Sequence, residues 1–334
     1  MISRMTFVAL ACLMCCVTPS FGQSGGRRLA KNLLTIIPPA PVEAETFSGP
    51  VPIVELVVGK TELNWDPPPN FTPKSETLFE MTKNVIFRRE IWNLELAFKP
   101  VRMIEVDVPQ PTGKMQRKKI WYMVYRVKYV GYDLGLNPET DNWDRTTFPN
   151  VSLLNYKSRR FLPHFVLRSH GFRKEYLDRV IPAAKMPILM KEFPGKLPGT
   201  TSLPPDQFYN SVTITEQKIG LSDPQQDRSI WGLVTWEDID PRTDYFSIYV
   251  QGLTNAFRFQ DPPGAFKPGD KPGTGREFQQ KTLQLNFWRP GDTRDENEKE
   301  IRFGIPVIEN PVRRAKLFEA YGIPERLDYL WIYR

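Results

Sequence analysis

Residues 91–98 read Ile91-Trp92-Asn93-Leu94-Glu95-Leu96-Ala97-Phe98, and residues 120–130 read Ile120-Trp121-Tyr122-Met123-Val124-Tyr125-Arg126-Val127-Lys128-Tyr129-Val130. In the first stretch Trp92, Leu94, Leu96 and Phe98 fall on one face, the period-two alternation of a half-buried strand. The second is apolar on both faces, as a strand central to a packed sheet must be. Between them, Ile104, Val106 and Val108 alternate with Glu105 and Asp107, and residues 109–119 turn around Thr112-Gly113. This predicts an antiparallel β-meander over residues 85–132.

The same texture extends outward. Strand-like segments recur at 160–168, 211–219, 229–236, 245–253, 257–259, 282–288 and 301–305, and the aromatic stretch 327–333 also reads as a strand. Many short strands between long Pro/Gly-rich loops predict an all-β, mainly antiparallel fold of one or two β-sandwich (immunoglobulin-like) units. One short C-terminal helix is marked at 311–321. Asn310 suits its cap and Pro311 its first turn, while Gly322 and Pro324 stop it. Val312, Ala315, Phe318 and Tyr321 form its apolar stripe, with Leu317 beside it.

The chain begins Met1-Ile2-Ser3-Arg4, followed by an apolar run of about 13 residues and small residues at Ser20 and Gly22. That order predicts a secretory signal peptide over 1–22, cut between Gly22 and Gln23. The run is short of the ~20 residues a membrane-spanning helix needs, so no transmembrane segment is expected after cleavage. Cys12, Cys15 and Cys16 all lie in this leader. Ala9-Leu10-Ala11-Cys12 approximates a lipoprotein box, but few apolar residues precede it. Cleavage leaves a cysteine-free chain that depends on its core for stability. Removing Arg4 with the leader lowers the net charge from +7 to +6. Secreted or periplasmic localisation follows as an expectation.

Prolines number 32 in 334 residues, about twice the usual ~5% share, and they cluster. Pro38-Pro39, Pro41, Pro50 and Pro67-Pro68-Pro69 make residues 23–74 read as a flexible Pro-rich tether. A break between Pro194 and Pro205 predicts a first sandwich-like unit at 75–200 and a second β-rich unit at 205–334.

Function is read mostly from what is missing. Without cysteine, and with only His164 and His170 as histidines, thiolate chemistry is excluded after cleavage. Serine triads and histidine-rich zinc sites must draw on the same two residues. No nucleophile elbow, zincin, Walker or dinucleotide motif is present, and no cofactor is expected. Acid-rich stretches at 137–144, 237–244 and 292–300 supply the remaining site material. Glu237, Asp238, Asp240 and Asp244 are weak candidates for a calcium loop, because the EF-hand spacing and its central glycine are absent. Turn capping by Asp238 and Asp240 is the plainer reading. Trp92, Trp121, Trp231 and Trp288 fall in strands and read as core. Trp65 and Trp143 adjoin Pro/Asp-rich loops and are the candidate ligand-binding platforms. The densest basic cluster, Lys114, Arg117, Lys118 and Lys119, reads as a solvated hairpin loop. Asn70 and Asn150 begin glycosylation sequons.

These features favour a non-catalytic envelope or extracellular module that binds or scaffolds envelope proteins or cell-wall polymer, with no nucleic-acid partner. The alternatives are a carboxylate-dependent polysaccharide hydrolase, which needs two acids at a defined separation, and a calcium-stabilised adhesion module.

Overall fold

The structure, a computed structural model, describes residues 33–46, 88–140, 142, 144, 146–260, 262–264, 275–290 and 300–334. The leader with Gly22 and Gln23, together with Trp65 and Trp143, lies outside the described residues. The described chain forms antiparallel sheets with few helices, an all-β fold.

The first sheet is organised by β4 (Met115–Lys128). One edge of β4 pairs antiparallel with β3 (Arg102–Pro109) and then with β2 (Glu95–Phe98). The other edge pairs antiparallel with β12 (Ile230–Trp236). β1 (Leu34–Ile36) extends the sheet beyond β2, and β10 (Phe208–Asn210) lies parallel to β12 at the far edge. The expected meander is thus replaced by β2 and β3 laid end to end along β4. Pro100, which has no N–H to donate, stands between them.

β4 is apolar on both faces because both faces are covered. Trp121, Met123, Tyr125 and Val127 enter the main core, while Ile120, Tyr122 and Val124 enter a second cluster. Across the main core lies a second sheet, ordered β14 (Phe257–Gln260), β15 (Glu277–Trp288), β13 (Tyr245–Gln251), β8 (His164–Ser169) and β9 (Lys174–Leu177). Short β16 (Arg302–Phe303) and β17 (Tyr329–Tyr333) also pair with β15. The sheets meet through aromatic contacts: Trp121 on Phe246 at 5.3 Å, Tyr125 on Phe165 at 5.0 Å and Phe98 on Phe287 at 6.1 Å between ring centres. Two smaller ladders complete the strands, β5 (Asp133–Thr140) with β6 (Thr146–Leu154) and β7 (Ser158–Arg159) with β11 (Ile219–Gly220).

Each sheet carries a helix on its outer face; the C-terminal one was expected and the other was not. α1 (Pro182–Glu192) buries Ala184, Ile188 and Leu189 against the first sheet. The sequence reading missed it, because Pro187 interrupts its helical pattern. An interior proline costs ~3 kcal/mol, offset here by apolar burial and by ion pairs at the helix end. Glu192, nearly fully buried, receives Tyr122 Oη at 2.7 Å, Arg102 Nη1 at 2.8 Å and Lys99 Nζ at 3.2 Å. Burial pushes the Glu192 carboxyl up, but these partners more than offset it and hold it below its usual range.

α2 (Pro311–Tyr321) lies on the second sheet with the caps its sequence announces. Asn310 Oδ1 accepts from Val312 N–H at 3.0 Å and Arg313 N–H at 3.1 Å, and Gly322 turns the chain at φ +68°. Its inward stripe is Leu317 and Tyr321 with Phe318 partly buried; Val312 is exposed.

Further corrections concern organisation. Residues 211–219 do not form a strand: Thr213–Glu216 is a 3-10 helix, held by Asn210 Oδ1 accepting from Val212 and Thr213 N–H at 2.9 and 2.8 Å. The boundary expected near 200–205 does not separate the strands, since β4 pairs with β12 and β8 with β13 in one shared core. Part of the supposed tether is integral. Leu34–Ile36 is a paired strand, Leu33 and Ile36 are buried, and Glu45 is locked to Lys281 at 2.6 Å and to Tyr333 Oη at 2.6 Å.

Candidate functional site

Two features that are distant in the sequence meet at one end of the main core. The β3–β4 turn closes with Gln110 N–H on the Lys114 carbonyl at 2.8 Å, and Gly113 supplies the left-handed φ of +78°. Only Lys114 sits in the turn; Arg117, Lys118 and Lys119 belong to β4, so alternate residues face opposite ways. The acid-rich turn between β12 and β13 lies against them. A cleft of about 320 Å³ opens between the two. Met103, Trp121 and Ile239 give it an apolar lining, while Arg117, Lys119 and Arg289 give it cationic walls. Among the described residues Asp238 is the only acid that lines it.

Three of its four lining cations meet acids. Lys118 Nζ lies 2.9 Å from Glu237 Oε2 and 3.4 Å from Asp238, which raises its pKa. Glu237 Oε1 also receives Arg179 Nε at 3.1 Å. Arg289, almost fully buried, donates to the Pro241 carbonyl and reaches Asp244 Oδ1 at 3.3 Å. Arg117 touches Glu105 at 3.1 Å, but both side chains are well exposed, and such a contact is worth at most ~1 kcal/mol. Lys119 has no acid partner among the described residues.

These pairings account for the four acids considered as a calcium loop. Asp240 Oδ1 accepts from Arg242 N–H at 3.0 Å and Nε at 3.1 Å, and Oδ2 from Nη2 at 2.9 Å. Those hydrogen bonds bring Asp240 down to about 2. Glu237, Asp238, Asp240 and Asp244 therefore each face a cation rather than one another. Among the described residues no three metal-ligating side chains gather. Asp238 takes a left-handed backbone conformation in this turn, at φ +56°.

The histidines stand apart. His164 begins β8 and is exposed, 3.1 Å from Gln251 Oε1. His170 follows the other end of β8, and six residues of strand at ~3.3 Å each separate them by roughly 20 Å. His170 is buried against the Tyr321 ring, with Nε2 2.8 Å from Ser247 Oγ, which in turn donates to Asn286 Oδ1 at 2.7 Å. Burial, aided by Arg168, lowers its pKa to about 4. Glu90 and Asp133 share Arg159, at 3.4 and 2.5 Å. Tyr156 also bonds Glu90, and Tyr129 bonds Asp133 at 2.7 Å. This carboxylate pair ties the β5–β6 hairpin to the body.

Sequence reasoning named Lys118, Lys119 and Asp238 but not their meeting, and it missed Arg289, Met103 and the site role of Trp121. The pairing of β4 with β3 and β12 brings Met103, Trp121 and Asp238 together, and Arg289 arrives from the end of β15 in the facing sheet. The chain matches no protein-family model, no curated protein and no solved structure.

Proposed function

We propose that this is an exported, non-catalytic binding module that holds an anionic cell-envelope glycan in the cleft between the β3–β4 hairpin and the 237–244 turn. The observation that carries this reading is the lining of that cleft, four cations against one acid around an apolar floor. Exposed Arg117 and Lys119, which has no acid partner among the described residues, supply attraction, while Lys118 and Arg289 are positioned by the acids behind them. Apolar Met103 and Ile239 suit the C–H faces of sugar rings. The separated histidines and the tied carboxylates support a binding role over hydrolysis.

The test is titration of the protein with an acidic glycan such as polygalacturonate and with a neutral glycan of similar length. Binding to the acidic polymer is expected to weaken as salt rises from 0.01 to 0.15 M, where the screening length falls from ~30 to ~8 Å. The double substitution Arg117→Glu with Lys119→Glu is expected to weaken it at least ~10-fold, about 1.4 kcal/mol. Equal binding of the neutral polymer, or indifference to the double substitution, would overturn the reading.

A further inference from the structure

A second chamber, of about 100 Å³, lies on the outer face of the first sheet where β10 ends beside β12. Its walls are Val180, Ile181, Phe208 and Leu233, and among the described residues no carboxylate lines it. The residues that line it with charge are Arg179 and Lys185. Lys185 has no ion-pair partner among the described residues, whereas Arg179 shares Glu237 with Lys118. Hydrogen bonds and ring packing hold its walls. Arg179 N–H donates to the Thr235 carbonyl at 2.8 Å and Thr235 Oγ1 donates back to the Arg179 carbonyl. On the opposite wall Phe208 is fully buried and packs edge-on against Phe193 at 5.9 Å.

We infer that this chamber binds a terminal carboxylate carried on a short branched aliphatic body. The volume is smaller than the ~150 Å³ that accepts a benzene ring, which suits an isopropyl or isobutyl group. The apolar walls take that group, and Lys185, the lining cation with no ion-pair partner among the described residues, takes the carboxylate, with Arg179, already facing Glu237, beside it. Such a carboxylate occurs both on a small free acid and at the C-terminus of a polypeptide ending in valine or leucine. The site is separate from the basic cleft and stands whether or not the glycan reading does.

The experiment is calorimetric titration of the full protein with isovalerate, its uncharged amide, and a pentapeptide ending in Val-Leu with either a free or an amidated C-terminus. Two variants accompany it: Lys185→Glu, which reverses a partly exposed charge, and Ser211→Phe, which plugs the chamber from its rim. Circular dichroism establishes that both fold. Isovalerate is expected to bind at least ~10-fold more tightly than its amide, with the affinity reduced in Lys185→Glu and lost in Ser211→Phe. Tighter binding of the free-ended peptide than of isovalerate identifies a chain terminus as the ligand; the reverse identifies a small acid. Equal binding of acid and amide, binding that survives in both variants, or no binding of any probe by about 10 mM, ~2.7 kcal/mol, overturns the inference.

Discussion

Substitution of Glu45 tests whether the segment before residue 47 belongs to the fold. Glu45 is 7% exposed and Lys281 9%, with Lys281 Nζ 2.6 Å from Glu45 Oε1. Tyr333 donates to the same oxygen at 2.6 Å, and Arg89 donates to the Glu45 carbonyl. At that separation and an effective dielectric constant of ~20, the Coulomb attraction is about 6 kcal/mol. Desolvation of both ions consumes much of it, so the net worth of the pair is far smaller. Glu45→Ala removes one partner and leaves the Lys281 ammonium buried, which costs about 3–5 kcal/mol. In melting temperature that is about 6–20 °C, at ~2–4 °C per kcal/mol. Replacing both ions, Glu45→Leu with Lys281→Met, removes the charge without stranding it and is expected to recover most of the loss. Burial pushes the Glu45 carboxyl up, but hydrogen bonds from Lys281 and Tyr333 outweigh this and leave it below 4.5. The group is therefore depressed in the folded state, and its contribution is present above the unfolded carboxylate pKa and lost as pH falls below it. Melting curves followed by tryptophan fluorescence at pH 7 and pH 3 read all three proteins. If Glu45→Ala melts with the unsubstituted protein at pH 7, or if the double variant is no more stable than the single, the reasoning fails.

Three further perturbations follow from named contacts. His170 titrates near 4 when folded against 6.5 unfolded, so its stabilising contribution is complete above pH 6.5 and declines on acidification, by about 2 kcal/mol at pH 5; in His170→Gln the urea midpoint is expected to fall less between pH 7 and pH 5. A Cβ at Gly232 meets the Tyr125 ring at 2.2 Å, so Gly232→Ala is expected to cost at least ~1–3 kcal/mol by urea denaturation, and Tyr125→Leu in the same background should restore part of it. Asn310→Ala removes the two-fold cap on α2 and is expected to cost ~1 kcal/mol, while Asn310→Asp is expected to preserve stability.

What the sequence determined by itself is local. Period-two alternation, the two-sided apolar run of β4, and the Asn310, Pro311 and Gly322 signals each act through neighbouring residues, and the strands at 229–236, 245–253 and 282–288 and the helix at 311–321 appear where those signals place them. The tertiary structure decided everything that joins distant segments. A strand edge carries no label for its partner, so nothing in the chain announces that β4 lies against β12 or β8 against β13. Proline clusters mark where a chain bends but not whether its flanks dock, and so Leu34–Ile36 was read as tether though it pairs with β2. α1 was hidden because burial against the first sheet outweighs the penalty of Pro187. The candidate cleft was half legible: the cations of residues 117–119 and the acids of 237–244 were visible as separate clusters. Their ion pairing, and the arrival of Arg289 beside them, required two sheets packed face to face, which is a property of the whole core rather than of any stretch of it.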